Sequence, residues 1–399
     1  MITVSYSGVH QAYQLALAAQ EAGLLDRFLC SFYDAPGKWG HRLSGMLGKE
    51  VLKNRRLDGL DPELVTEHPW PELSFKLRGR LTKLPGNAWI DAANHFDRWA
   101  ARQLRHGTSR GVVCAENCAY ETFQAAKSLG MFRIYDCPGT NADFLLKTTE
   151  EAARRTGLSF VSQADTPEIT RRKEVEIGMA DVVLTYSDFH TEGVIARGIP
   201  RERIAQIPLW TDADFWRPGP HPREYKLPLK VLFAGGINLR KGVPFLVEAM
   251  RKLSPHASLT LVGSLDPDAK ACLAGTESFA TVVPPVSKEK LRDIYRAHDV
   301  LVLPSLGDSF GFVAMEAMAC GLPVILTTHC GAPVPDESWR VPVMDAAAIA
   351  RRLQLYLEHP DSLGQQSRIG RDFAELFAPE VYRAEVATLF HTLLNEKSN

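Results

Sequence analysis

The chain has 399 residues, of which 45% are hydrophobic and 23% are charged, and its formal net charge at pH 7 is −1. This length exceeds one ordinary hydrophobic core and predicts two domains. A charge this close to zero provides no overall attraction to nucleic acid, so no nucleic-acid partner is expected. The seven scattered cysteines predict reduced thiols, and the first residues lack the pattern of a signal peptide. We therefore expect a cytoplasmic protein.

Short apolar runs alternate with helix-period segments, as in parallel sheets covered by helices. In chain order, the strand candidates of the first half are 2–7, 27–32, 111–114, 132–136, 181–187 and 203–208. Four prolines between 218 and 228 then indicate a linker. The strand candidates of the second half are 229–234, 258–262, 281–283, 300–303 and 323–326, and two helices, about 361–376 and 380–395, end the chain. The pattern predicts an α/β fold with two doubly wound, Rossmann-like domains that face a cleft.

The segment 299–326 has the strongest functional pattern. An apolar strand leads into a loop with Asp308 and Gly311, and a helix follows at once. A glycine there lets the backbone approach a ligand, and the free N–H groups of the helix start suit a diphosphate. Glu316 follows Asp308 by eight residues, so it can contact another part of the same ligand, such as ribose hydroxyls.

This segment resembles the signature of glycosyltransferase family 4, the retaining glycosyltransferases of the GT-B fold, which carry two acidic residues at this spacing. The match is close throughout, except that Asp308 stands where glutamate is usual. The resemblance covers residues 180–395 strongly and residues 1–180 in outline. It implies a nucleotide-sugar donor held by Asp308, Ser309, Phe310, Gly311, Phe312 and Glu316.

Two further segments resemble donor-binding parts of this family. Gly235 and Gly236 end an apolar strand, and Arg240 and Lys241 follow, so we expect the two cations to stabilise the departing diphosphate. Val286, after two prolines, matches the turn that holds the base. In the first half, Gly8 follows the first strand, where the family often has a glycine-rich loop near the donor phosphates and the acceptor.

The acceptor side is less clearly marked in the sequence. Many relatives have a histidine after the strand 111–114, but this chain has Glu116 and Asn117 there. The candidates for acceptor contact are therefore His10, Glu116, Asn117, Asp136 and Asn141, with no basis for choosing among them.

The resemblance implies a domain of residues 1–215 on the acceptor side, a donor-binding domain of residues 216–377, and a terminal helix, about 378–399, that crosses back to the first domain. We expect transfer of a sugar from a UDP- or GDP-sugar to a hydroxyl acceptor with retention of configuration, in glycan, polysaccharide or glycolipid synthesis. Asp308, Arg240 and Lys241 would be the catalytic residues. Neither a cofactor nor a metal is expected, because both Asp-x-Asp strings, at 212–214 and 266–268, read as turns.

Two alternatives stay open. A GT-B-type epimerase would need further acid or base residues, and a sugar-nucleotide sensor or scaffold would fit the change at Asp308 and the missing histidine. Residues 38–110 hold 14 basic and eight acidic residues. A helix containing Leu43, Met46, Leu47 and Val51 could lie on an anionic membrane or pack on the sheet, and we favour packing. The partners to test are a nucleotide sugar, a hydroxyl acceptor on a glycan or lipid-linked glycan, and the cytoplasmic membrane face.

Overall fold

The computed structural model describes residues 1–9, 11–47, 55–81, 89–160, 166–221 and 224–396. Its first half forms a parallel sheet of seven strands in the order β3-β2-β1-β4-β5-β6-β7. These strands are β1 Ile2–Ser5, β2 Leu25–Cys30, β3 Val65–Glu67, β4 Gly111–Ala115, β5 Phe132–Asp136, β6 Val182–Thr185 and β7 Ile204–Gln206. The described helices of this half are α1 Ala12–Glu21, α2 Trp39–Leu47, α3 Trp70–Leu81, α4 Trp89–Gln103, α5 Tyr120–Ser128, α6 Ala142–Thr156, α7 Pro167–Met179 and α8 Asp188–Ile195.

The second half forms a parallel sheet of six strands in the order β10-β9-β8-β11-β12-β13. The strands are β8 Leu229–Ala234, β9 Ala257–Val262, β10 Ala280–Val283, β11 Val300–Leu303, β12 Val324–Thr327 and β13 Arg340–Val341. The helices are α9 Val243–Leu253, α10 Lys288–Ala297, α11 Phe312–Ala319, α12 Ala346–Glu358, α13 Asp361–Glu375 and α14 Pro379–Glu396.

Both sheets reverse their strand order beside their first strand. In the first sheet β1 lies between β2 and β4, and in the second β8 lies between β9 and β11. Loops that leave such a reversal diverge to opposite faces and open a crevice at the carboxyl ends of the strands. The predicted fold class, two doubly wound parallel sheets, is therefore confirmed. The strands β11 and β12 are buried at every residue, as expected for parallel strands covered on both faces.

The last helix returns to the first half. Arg383 of α14 donates hydrogen bonds to Glu21 at 2.8 Å and to Gln14 at 3.1 Å, both on α1. Arg371 of α13 holds the connection between the halves by donating to the carbonyl oxygens of Ala213 and Trp216. The predicted boundary at 215/216 falls between the last strand of one sheet and the first of the other; its exact position stays a prediction.

Among the helices that the structure describes, none has the length and apolar character required to cross a membrane. All seven cysteines are free thiols, and six of them are buried.

Candidate functional site

A cleft of about 520 Å³ lies where the carboxyl edges of the two sheets face each other. Its lining includes Arg240, Lys241 and Asp308 from the second half and Glu116 and Lys173 from the first. It is therefore a site to which both sheets contribute, as the predicted architecture requires.

The floor of the second half is made of closely packed backbone. Gly235, with φ +140°, donates its N–H to Val262 at 2.9 Å, and Gly263, with φ +147°, donates to Val283 at the same distance. A Cβ on Gly263 would overlap the carbonyl oxygen of Gly235. Glycines at these positions allow the carboxyl ends of β8, β9 and β10 to form one continuous surface without side chains, which a planar base and its ribose can approach.

A set of polar contacts holds the loop that carries Arg240 and Lys241. The backbone N–H of Lys241 donates to the side chain of Asn238 at 2.9 Å, and Asn238 donates to Asp266 at 3.0 Å. Leu306, in the loop after β11, donates to the carbonyl oxygen of Arg240 at 3.0 Å. The Arg240 side chain itself is exposed to the cleft. Asn238 and Asp266 position the two cations, a role that the sequence analysis did not assign to them.

Asp308 is bound to both the loop of cations and the next helix. The Lys241 Nζ donates to Asp308 Oδ2, and the N–H of Gly311 donates to Asp308 Oδ1 at 3.1 Å. The side chains of Lys241 and Asp308 are 16% and 19% exposed, so the ion pair faces the cleft while being largely shielded from water. A donor would insert its phosphate next to the ammonium group and its sugar next to the carboxylate.

The start of α11 is shaped by Gly311, which has φ +73°. A Cβ there would lie 2.8 Å from the sulfur of Cys330, so only glycine fits without a shift of the neighbouring loop. Ser309 donates its hydroxyl to Pro138 of the first half at 3.0 Å, Phe310 is buried, and Phe312 is 37% exposed at the cleft. Gly311, Phe312 and Val313 of this helix start line the same cleft as Arg240 and Lys241. The first N–H groups of a helix have no partner within the helix, so such a start suits an anion.

Glu316 lies one turn into α11, outside the residues that line the main cleft. The Tyr295 hydroxyl donates to its Oε2 at 3.0 Å. Burial raises the pKa of Glu316 to about 7, while the Tyr295 hydrogen bond and the nearby Lys288 oppose that rise. Val286, which precedes α10, is half-buried at the edge of the second sheet and likewise lies outside the cleft lining. The structure therefore places both predicted donor-binding residues in the second half but outside the lining of the main cleft.

The opposite wall comes from β4 and α7. Glu116 follows β4 and forms an ion pair with Lys173 of α7, and both side chains line the cleft. Beside them Arg197 donates to Glu174 at 3.0 Å. Each of these cations has an acidic partner within the first half, whereas Arg240 pairs with no acidic side chain of the described residues.

A buried ion network holds the loop that carries Glu116 and Asn117. Glu176 accepts backbone N–H groups from Asn117 at 2.8 Å, Tyr120 at 3.2 Å and Ala119 at 3.3 Å. Asp97 accepts backbone N–H groups from the first turn of α5 at 2.8 and 3.0 Å.

Arg172 of α7 joins these two carboxylates, at 2.7 Å from Asp97 and 2.9 Å from Glu176. Both acidic side chains are fully buried. Burial raises the pKa of Glu176 to about 7, against the opposing charge of Arg172. The sequence analysis singled out none of these three residues, because an isolated charged residue between strand candidates usually faces solvent.

The other acceptor-side candidates lie in different places. Asp136 is fully buried and accepts a hydrogen bond from the Tyr186 hydroxyl, and Asn141 caps α6 by accepting the Phe144 N–H at 3.0 Å. Gly8 and Asn117 line a second cavity that adjoins Glu116. Gly236 lies in the turn after β8 without lining the main cleft. His10 is outside the described residues.

The two Asp-x-Asp strings, both predicted to be turns, differ in their contacts. Asp212 accepts the Phe215 N–H at 3.0 Å, as a turn residue does. Asp266 and Asp268 instead accept hydrogen bonds from Asn238 and, at 3.4 Å, from the Leu239 N–H, and so hold the loop that carries the cations. Within the described ranges, no group of three or more His, Cys, Asp or Glu side chains lies close enough together to hold a metal ion.

Comparison with known proteins identifies the family. The model of the family described as Glycosyl transferases group 1 matches residues 228–359, which span the second sheet and the cations, Asp308 and Glu316. D-inositol 3-phosphate glycosyltransferase from Paenarthrobacter aurescens is 33% identical over 294 residues, covering 67% of this chain and 69% of that protein. The chain belongs to this glycosyltransferase family, family 4. It spans about half the length of other curated relatives that it matches.

Solved structures agree with this family in fold. Sucrose-phosphate synthase from Thermosynechococcus elongatus superposes with a TM-score of 0.69 at 20% identity and covers 99% of both chains. HepE from Anabaena in complex with UDP superposes with a TM-score of 0.65 at 14% identity, over 98% of this chain and 99% of that one. The two-domain architecture of this glycosyltransferase family member is therefore GT-B.

Proposed function

We propose that the chain is a retaining glycosyltransferase that moves a sugar from a nucleoside-diphosphate sugar to a hydroxyl acceptor. The observation that carries the proposal is the Lys241–Asp308 ion pair at the start of α11. It places a cation for phosphate and a carboxylate for sugar hydroxyls at the junction that such a donor requires. The exposed Arg240 beside it supplies a second positive charge.

The donor would lie across the carboxyl edge of the second sheet. The base would approach the surface around Gly263 and Val286, and the ribose hydroxyls would reach Glu316. The diphosphate would meet Arg240, Lys241 and the free N–H groups of α11, and the sugar would meet Asp308. The relative HepE, whose structures contain UDP and UDP-glucose, supports a nucleotide donor of this class.

In the reaction the bond between the anomeric carbon and the phosphate oxygen breaks, and a bond from that carbon to the acceptor oxygen forms. The acceptor proton passes to the departing diphosphate. The transition state is oxocarbenium-like, so the negative charge grows on the phosphate oxygen as the bond opens. Arg240 and Lys241 stabilise that charge without a metal, because they are held in place before the reaction begins. Attack on the face that the leaving group vacates retains the configuration.

Nucleotide-sugar binding and turnover test this proposal. Thermal unfolding should be measured with UDP, GDP and a panel of their sugars, since a ligand present at 100 times its Kd stabilises by about 2.7 kcal/mol. The donor that stabilises should be hydrolysed slowly in water, and NMR of the first-formed sugar should show the donor's anomeric configuration. Binding without hydrolysis or transfer would favour a sensor, and an inverted product would contradict the retaining mechanism.

We further propose peripheral contact with an anionic membrane through α2 and α3. Trp39 and Trp70 are 45% and 62% exposed with ring centroids 6.1 Å apart, and Arg42 lies over the Trp39 ring. Amphipathic rings beside cations suit the headgroup region, where the acceptor of a lipid-linked glycan would be found. Of the predicted face, Val51 and the side chains of Met46 and Leu47 are outside the described residues. Co-sedimentation with phosphatidylglycerol vesicles, but not with phosphatidylcholine vesicles, is expected, and Trp70→Ala should reduce it.

A further inference from the structure

A second cavity, of about 320 Å³, lies at the carboxyl ends of β1, β2 and β4. Its lining includes Ser7, Ser31, Asn117 and Trp89. Glu116 lines both this cavity and the main cleft, so the two spaces meet at its side chain. A molecule bound in the second cavity would therefore adjoin the donor sugar at Glu116.

Two buried polar atoms belong to residues that line this cavity. Within the described part of the chain, neither the Ser31 hydroxyl nor Asn117 Oδ1 has a hydrogen-bond partner, and the two residues are only 1% and 8% exposed. A buried polar group without a partner destabilises the folded state unless a ligand or water satisfies it. Asn117 also has a left-handed backbone, φ +68°, held by the bond from its N–H to Glu176. Ser31 and Asn117 both line the cavity, so the fold keeps two unpaired hydrogen-bonding groups beside it, as a preorganised polar site does.

The charges that line the cavity are already paired. Arg55 lies 2.9 Å from Glu72 and donates to the carbonyl oxygen of Ser7 at 3.0 Å, and Lys76 lies 2.7 Å from the same Glu72 oxygen. Glu116 is paired with Lys173. A phosphate group entering here would have to displace Glu72 from its cations. The electrostatics therefore favour a ligand without charge.

The remaining wall is aromatic. Trp89, 36% exposed, and the half-buried Phe75 line the same cavity as the polar groups. A cavity with one aromatic wall and a few unpaired polar groups suits a ring with an apolar face and hydroxyls at its edge. A sugar or cyclic polyol has that form, and about 320 Å³ lies at the lower end of the roughly 300–1,000 Å³ typical of ligand pockets.

We propose that this cavity binds an uncharged sugar or polyol ring of the acceptor, with Ser31 and Asn117 contacting its hydroxyls and Trp89 covering its face. The proposal rests on the proposed glycosyltransferase function. Ser31 and Asn117 are specificity-determining groups here, and Glu116 orients the acceptor hydroxyl that faces the donor.

The test uses the full chain, the donor that stabilises it, and two acceptor panels: methyl glycosides of glucose, galactose and mannose with myo-inositol, and their phosphorylated counterparts. The kcat/KM should be higher for the neutral acceptors than for the phosphorylated ones. Ser31→Ala should raise the acceptor KM about threefold to tenfold, the loss of one hydrogen bond. Its melting temperature should hold or rise, because an unsatisfied hydroxyl is removed. Trp89→Ala should raise the KM further, and Trp89→Phe should restore most of it.

Thr211→Val is the matched control, because the Thr211 hydroxyl is also buried and unpaired but does not line this cavity. It should leave the acceptor KM unchanged. A preference for phosphorylated acceptors, or a wild-type KM in both Ser31→Ala and Trp89→Ala, overturns the proposal while donor binding remains. Donor hydrolysis with no transfer to any neutral acceptor also overturns it. Absence of nucleotide-sugar binding and hydrolysis altogether contradicts the proposed function instead.

Discussion

The two walls of the cleft use different means to present polar groups. On the second sheet, glycines at 235, 263 and 311 let the backbone pack closely where a Cβ would not fit or would be strained, and a loop held by polar contacts carries the cations. On the first sheet, side chains line the cleft, and the buried Arg172 network holds their loop. Binding of the invariant part of a nucleotide suits backbone, whereas a variable acceptor suits side chains that can change without altering the turn.

Each wall also contains a buried glutamate whose pKa is raised to about 7 by burial. Glu176 accepts three backbone N–H groups and pairs with Arg172, so its hydrogen-bonding capacity is used within the protein. Glu316 accepts the Tyr295 hydroxyl through one oxygen, and no second hydrogen bond to its carboxylate is found within the described residues. The same rise in pKa therefore accompanies a fully paired carboxylate on one wall and a partly paired one on the other.

Removing Arg172 should produce the largest effect. Arg172→Met leaves Asp97 and Glu176 buried without their cation, a change that typically costs about 3–5 kcal/mol. Chemical denaturation should show this loss at pH 8. A smaller loss is expected at pH 5, where Glu176 holds its proton. The control is Arg155→Met on α6, since Arg155 is 56% exposed and pairs with Glu151 at the surface. Equal stability of the two variants would show that the network does not hold the first wall.

On the second wall, Lys241→Ala should slow transfer by about 10²–10³-fold, because a preorganised donor to the developing phosphate charge is lost. The melting temperature should fall less than in Arg172→Met, because Asp308 is partly exposed and keeps the Gly311 N–H when it loses its cation. Lys252→Ala on the same helix–loop segment serves as the control, since Lys252 is 52% exposed and pairs with Glu248. Steady-state kinetics with saturating donor measures the effect. Near-normal turnover in Lys241→Ala would refute its role.

Asp308 is proposed to contact the sugar of the donor and not its phosphates, so its loss should affect the two ligands differently. Asp308→Asn should weaken nucleotide-sugar binding about 10-fold to 100-fold, the loss of charge-assisted hydrogen bonds to sugar hydroxyls. Binding of the bare nucleoside diphosphate should be retained or tighten, since Lys241 is released from its ion pair. Calorimetry with both ligands measures the difference.

The comparison variant is Asp308→Glu, which restores the residue usual in the family and should remain active, with a changed sugar preference. If Asp308→Asn weakens both ligands equally, the carboxylate serves the fold or the phosphate instead.

The sequence predicts the residues of the second wall better than those of the first, for a physical reason. The second wall is local: a strand, a glycine turn and a helix start follow one another within 299–326, so the sequence order itself reveals the site. The fold class follows from the strand alternation in the same way. What the order does not reveal is the pairing of Lys241 with Asp308, which are 67 positions apart.

The first wall depends on contacts over longer distances. Arg172 and Asp97 are 75 positions apart, and each reads as an ordinary polar residue of its helix. The edge strand β3 has three residues, too few for a period to be detected. The predicted first strand also ended two residues late, since Tyr6 and Ser7 already form the loop into the second cavity. The unpaired Ser31 hydroxyl could be found only once the surrounding strands were in place.

The smallest expected effect concerns Glu316 and depends on pH. In the free protein its raised pKa makes the folded state hold a proton that the unfolded state releases, so this contribution to stability is present below about pH 4.5 and is lost as the pH rises to about 7. Binding has the opposite sign, because ribose hydroxyls donate to the carboxylate and so favour the deprotonated form. Nucleotide affinity should therefore increase from pH 6 to pH 8.

In Glu316→Gln the affinity should be about threefold to tenfold weaker than in wild type at pH 8 and nearly equal to wild type at pH 6. Calorimetry with UDP or GDP at both pH values, compared between the two proteins, removes the titration of the phosphate itself. If the affinity of Glu316→Gln still depends on pH, another group causes that dependence. If kcat falls while the affinity is unchanged, Glu316 acts in the reaction and not in nucleotide binding.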